Sequence, residues 1–140
     1  MLVLDTDHSS ELGYRSVPGL RLLARLQAHS ADATITAITV EEQLRGWLAE
    51  IRRHTDPHQH IRDYARLVRQ VELHASLAVL PWDADAVRHF EMLKTQRVRI
   101  GTNNLKIAAI VLAHDATLLT RNMKDFAQVP GLKVENWLGE

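Results

Sequence analysis

Short apolar runs alternate with longer stretches of helical period along the chain. Val3-Leu4 is followed by Asp5-Thr6-Asp7, which predicts a strand running into a polar loop. Pro18 opens a helix carrying Leu20, Leu22, Leu23 and Leu26. The β-branched run from Thr34 to Ile38 reads as a second strand. From Thr39 a helix begins in which Val40, Leu44, Trp47, Leu48 and Ile51 recur near every 3.6 residues. Thr55-Asp56-Pro57 starts another, running towards Ser76 with Ile61, Tyr64, Ala65, Leu67, Val68 and Val71 as its apolar positions. Ala78-Val79-Leu80 is a third strand, stopped by Pro81, and Asp83 or Asp85 starts a helix containing Val87, Phe90, Met92 and Leu93. The helix from about Asn103 to His114 is apolar on nearly every face and should be central. Thr117 to Thr120 and Leu132 to Val134 supply the fourth and fifth strands. This alternation predicts an α/β three-layer domain, with a mainly parallel sheet of four to five strands flanked by helices.

Composition narrows the picture by exclusion. At 140 residues the chain reads as one domain spanning 1–140, with 46% hydrophobic and 24% charged residues, values of a folded globular protein. The absence of cysteine excludes disulfides, thiolate zinc sites, iron–sulfur clusters and cysteine nucleophiles. The longest apolar run, Ile107 to Ala113, is far below the ~20 residues of a membrane span. No secretory signal is read at Met1-Leu2-Val3-Leu4-Asp5, so the expectation is a soluble, cytoplasmic protein. Seventeen basic residues balance seventeen acidic ones, so attraction to a polyanion would require local segregation of sign. Such segregation is visible in the Arg- and Lys-rich stretches 45–69 and 94–106.

The candidate chemistry lies at strand ends, where open α/β sheets collect their ligands. Asp5 follows the first strand, Glu41 and Glu42 the second, and Asn122 and Asp125 the fourth, while Asn104 lies in the first turn of the apolar helix. Oxygen donors of this kind suit Mg²⁺ or Mn²⁺ rather than zinc. Such ions polarise phosphoryl oxygens and acidify a bound water, the chemistry of phosphodiester cleavage. Each residue also has a structural reading. Asp5 can cap a turn, Glu42 can complete a capping box with Thr39, and Asn104 can be a first-turn residue of a helix capped by Thr102.

Four ordered motifs carry a resemblance. They are Leu4-Asp5-Thr6-Asp7, then Ile38 to Gly46 with its acid four positions before the glycine, then Ile100 to Ala109, then Leu119 to Phe126 followed by Val129-Pro130-Gly131-Leu132 and Asn136-Trp137. In these the chain resembles the PIN-domain family, and within it the VapC-type toxins of bacterial toxin–antitoxin pairs. The resemblance implies a metal-dependent endoribonuclease, silenced by a small VapB-like antitoxin and forming homodimers. DNA would be met only through the antitoxin. It selects Glu42 over Glu41 and implies that Asp5, Glu42 and Asn104 hold or support Mg²⁺ or Mn²⁺. Asn122 then occupies the variable fourth polar position, with Asp125 as an outer helper. Where the family has Asp, this chain has Asn104, an amide that can coordinate but brings no negative charge. The missing carboxylate should weaken the nuclease, and Asp115, roughly 16 Å further along the helix, cannot replace it. A non-catalytic relative acting through antitoxin or RNA association and operon autoregulation is the alternative.

Several other patterns are weighed. Arg97, Arg99, Lys106, Arg121 and Lys124 flank the acids and are candidates for RNA phosphate contacts. His54, His58 and His60 are read as a solvated connector. His8-Ser9 lacks the surroundings of a nucleophile. Trp47, Leu44, Leu48 and Ile51, with the helix after Pro57, form a candidate groove for an antitoxin helix.

Overall fold

A computed structural model describes residues 1–29 and 32–139. Five strands, β1 (Leu2–Leu4), β2 (Ala33–Thr36), β3 (Ala78–Leu80), β4 (Thr117–Leu119) and β5 (Lys133–Glu135), form one sheet in the order β3-β2-β1-β4-β5. Every pairing is parallel, with Val3 opposite Thr34 on one side and Leu118 on the other. Among the described residues, seven helices connect and cover them: α1 (Thr6–Tyr14), α2 (Val17–Ala28), α3 (Ala37–Arg53), α4 (Pro57–Ser76), α5 (Ala84–Thr95), α6 (Thr102–Ala113) and α7 (Met123–Phe126). No helix among the described residues is long and apolar enough to cross a membrane.

The two-residue period of the strands sorts their side chains into two cores. Val3, Leu118 and Leu80 join Ile107 to Val111 of α6 and Leu93 of α5 on one face. Leu4, Ile35 and Leu119 meet Leu22 and Leu26 of α2 on the other. As expected from its all-round apolar sequence, α6 is central, buried at Leu105 and at each position from Ile107 to Val111.

Local chemistry moves several boundaries. Asp5-Thr6-Asp7 is not a loop: Asp5 caps α1 directly, its side chain accepting from Thr6 N. Residues 37 and 38 belong to α3 rather than to β2, because Thr36 caps that helix through Thr39 N. α6 starts one residue early, with Gly101 at the cap position and no side-chain cap, so Thr102 does not serve there. Helices α1 and α7 went unexpected, since neither carries an apolar stripe.

The largest departure is α4. Its apolar positions Ile61, Tyr64, Val68 and Val71 face outward, each more than half exposed, while Asp63 and Gln70 are buried. Polar partners explain the inversion. Gln70 accepts from Trp47 Nε1 (3.3 Å) and donates to Gln43 Oε1 (2.9 Å), and His74 Nε2 lies 2.7 Å from the same oxygen. Burial lowers the pKa of His74 from its ordinary value. Asp63 lies 2.6 Å from His54 Nδ1. The histidine segment is therefore a bonded corner rather than a solvated connector, with His60 Nε2 also reaching the carbonyls of Ile51 (3.1 Å) and His54 (2.8 Å). A cleft does lie beside Trp47, but Leu44, Leu48 and Ile51 do not line it and its lining is polar, because Trp47 is buried in this network. An apolar groove of about 970 Å³ lies elsewhere, lined by Leu20, Leu23 and Leu26 of α2 and Leu73 of α4.

Candidate active site

Strand order places a crevice by topology alone. From β1 the chain moves to β2 and β3 on one side, then returns through α5 and α6 to β4 on the other. The carboxyl ends of β1 and β4 therefore border the switch point, where ligands of parallel sheets bind. Asp5 and Thr120 are the first residues beyond those ends.

Asp5 is 6% exposed and both its oxygens are engaged. Oδ1 accepts from Thr6 N at 2.8 Å and Oδ2 from Thr120 Oγ1 at 2.7 Å. Burial raises its pKa from 3.8 to about 6; the bonds from Thr120 and Thr6 oppose the rise, and the negative charges of Asp7 and Glu42 add to it. Asp7 shifts the other way. Burial works against its charge, but the bond from His8 and the backbone N–H of Arg121 (2.9 Å) hold its pKa below 3.8. His8 is fully buried, with Nδ1 2.6 Å from Asp7 Oδ1. Its Nε2 accepts from Trp137 N at 3.1 Å, so the single ring proton sits on Nδ1 and points at Asp7. Ser9 is buried as well, and neither residue is placed as a nucleophile.

Glu42 performs no capping. Thr36 caps α3, leaving Glu42 Oε1 to accept from Thr6 Oγ1 at 2.8 Å. Beyond β4, Thr120 Oγ1 accepts from Asn122 N (3.0 Å). Asn122 caps α7 and donates through Nδ2 to Asp125 Oδ2 (3.1 Å). One hydrogen-bonded chain thus runs Glu42, Thr6, Asp5, Thr120, Asn122, Asp125. Asn104 is brought to the same edge by direction: α6 leads into β4 through a short turn, so its first residues lie at the carboxyl side of the sheet. It is half-buried and its amide makes no side-chain hydrogen bond among the described residues.

Thr6, Asp7 and Thr120 are the participants that sequence reasoning missed. The Asp-Thr-Asp spacing at a strand end is the one sequence signal that pointed to them. Among the described residues, none of the flanking cations makes an ion pair with Asp5, Glu42 or Asp125. Lys106 Nζ lies 5.7 Å from the centre of the Trp82 ring, and the Arg121 guanidinium lies 3.6 Å from Glu11. Arg97 sits in the left-handed conformation (φ 61°) between α5 and α6, close in sequence to Arg99, and Lys124 is exposed on α7.

The donor types suit a hard divalent cation, and among the described residues Asp5, Asp7 and Glu42 do not bring three carboxylate oxygens within 4.8 Å of one another. All are oxygens, and the mutual repulsion of Asp5, Asp7 and Glu42 is what such an ion would relieve. An ionised carboxylate offers about four acceptor positions, so the two bonds on Asp5 leave room for coordination.

Comparison with known proteins agrees with the fold. The family model described as the PIN domain matches residues 2–132. Ribonuclease VapC2 of Rickettsia felis is 35% identical over 65 residues, covering 44% of this chain and 48% of that relative. The match thus spans about half the length of the curated relative. The crystal structure of VapBC2 from Rickettsia felis, bound to a promoter DNA fragment, superposes with a TM-score of 0.73 at 23% identity, over 97% of this chain and 98% of the other. A DNA-bound VapBC structure from Salmonella typhimurium gives 0.75 at 20% identity, over 97% of each chain. At these identities the structures speak for the fold.

Proposed function

The chain belongs to the PIN-domain family, and from that premise we propose that it is a VapC-like endoribonuclease toxin, built on a divalent metal site and weakened by Asn104. The single observation behind this reading is the chain of hydrogen bonds that ties Asp5 to Glu42 on one side and to Asn122 on the other, at the switch point of the sheet. Asp5, Glu42 and Asn104 would hold Mg²⁺ or Mn²⁺, which when bound supplies charge neutralisation at a phosphodiester and a more acidic water. Thr6 and Thr120 orient the two carboxylates, and Asp7 fixes Thr120 and Arg121 through its own bonds. Asn122 and Asp125 close the far side. The partner is a VapB-like antitoxin, and the apolar groove between α2 and α4 offers it exposed leucine surface. The assembly is a homodimer that meets DNA through the antitoxin, in line with the promoter-bound relatives.

Asn104 favours a second reading, a non-catalytic binding protein that acts through antitoxin or RNA association. Cleavage assays with Mg²⁺ or Mn²⁺ separate the two. The chain as it stands should cut RNA slowly, Asn104→Asp should raise the rate at least ~100-fold, about 2.7 kcal/mol of barrier, and adding Asp5→Ala should abolish the gain. An Asn104→Asp variant that stays inert with diverse RNAs would transfer the case to the binding protein.

A further inference from the structure

We propose that the RNA strand leaves the metal end of the site along α3 and that its phosphates are held at the α3–α4 corner by Arg62 and Arg66. The proposal rests on the nuclease reading and adds a substrate subsite to it. Two clefts carry it. One, of about 300 Å³, opens beside Thr6, Glu42 and Gly46. The other, of about 760 Å³, lies between α3 and α4. Tyr14, Trp47 and Glu50 line both, so the two make one trough. Glu42, Gly46, Glu50 and Arg53 follow at spacings of four, four and three along α3 and therefore share a face. From Glu42 to Arg53 the helix rises about 16 Å, the length of about five stacked nucleotides at ~3.4 Å each.

Charge along the trough changes sign in the required direction. Arg53, Arg62, Arg66, His54 and His58 line the far cleft, against two acids. Those acids are already matched, Glu50 by Arg53 at 2.6 Å and the buried Asp63 by His54. Among the described residues, Arg62 and Arg66 have no carboxylate within 4 Å, and the Arg66 guanidinium lies 6.0 Å from the centre of the Trp47 ring. Donor atoms of Glu50, His54 and Asp63 do lie within 4.8 Å of one another, but three guanidiniums lining the same cleft oppose a cation and favour an anion.

Gly46 lines the near cleft. Glycine is disfavoured inside a helix, and packing does not demand it here, since an added Cβ would meet nothing within 4 Å. What a larger side chain would do is project into the path of the strand. Tyr14, half-exposed and edge-on to Trp47 with ring centres 5.9 Å apart, offers a face on which a base can stack.

Fluorescence anisotropy of a labelled ten-nucleotide RNA, in EDTA so that it stays uncut, tests the path across a salt series. Two lost phosphate contacts in Arg62→Ala/Arg66→Ala should flatten the log–log salt slope by about 1.4. Gly46→Gln should weaken binding at least ~10-fold while its melting temperature holds or rises. An unchanged slope, or a Gly46→Gln variant that binds like the parent, overturns the path. So does a double variant that keeps RNA but loses a polyglutamate probe, which would make the cleft a site for an acidic protein segment. RNA bound equally by parent and double variant refutes the path alone. A parent that binds no RNA at low salt, with Asn104→Asp also inert, refutes both the path and the nuclease.

Discussion

Replacing Asp5 by Asn should stabilise this protein at neutral pH in the absence of divalent ions. The Asp5 carboxylate is buried beside two further acids, and its pKa stands at about 6 instead of 3.8. At 1.36 kcal/mol per pKa unit, that displacement corresponds to about 3 kcal/mol against the charged native state. The direction follows from proton linkage. Between pH 3.8 and 6 the folded protein holds the proton that the unfolded chain has released, so stability falls as pH rises through that window. Above it the full penalty applies. Asn carries no charge, and the local bonds can be rebuilt around it. Its carbonyl can accept from Thr6 N, and its amide can donate to Thr120 Oγ1, whose own hydrogen turns to Asp7 Oδ2, now 3.4 Å away. Urea denaturation in EDTA should therefore give Asp5→Asn an advantage of up to about 3 kcal/mol at pH 8. The advantage should shrink as pH falls and vanish near pH 3.8. Mg²⁺ at about 1,000 times its dissociation constant should reverse the order, because at that concentration it adds about 4.1 kcal/mol to whichever protein binds it. A variant destabilised to the same extent at every pH, with no differential response to Mg²⁺, would refute the claim that Asp5 is a strained charge awaiting a cation.

Two stability predictions concern the helices around the site. Gly19→Ala should cost about 3 kcal/mol in urea denaturation, since its Cβ would fall 2.0 Å from the backbone oxygen of Glu11 and neither helix can yield cheaply; a neutral effect would mean that the α1–α2 corner is looser than described. Gln70→Leu should cost about 2 kcal/mol by the same assay, because it leaves the buried Trp47 N–H without its acceptor and removes a donor to Gln43; an unchanged midpoint would show that water or His74 repairs the network.

Much of the architecture was legible in the linear pattern. The five strands, the central helix α6 and the parallel α/β class follow from runs and periods that local propensity and burial dictate, and they appear within a residue or two of expectation. Strand-end acids were legible too, because polar residues directly after short apolar strands have few other places to go. Sequence alone did not determine which duties those acids perform. Glu42 and Thr39 spell a capping box, yet Thr36 takes the cap and releases Glu42 to Thr6, a residue 36 positions away. Nor did it determine the face of α4. The period of Ile61, Tyr64, Val68 and Val71 was correct and the inward direction was not. Gln43 and Trp47 lie on α3 and His54 just beyond its end, whereas Gln70, His74 and Asp63 lie on α4, and only their meeting makes it favourable to bury polar groups and leave an apolar stripe in water. A helix records its own stripe, but whether that stripe turns inward depends on whether a distant partner can satisfy the opposite side, and that partner is supplied by the tertiary fold.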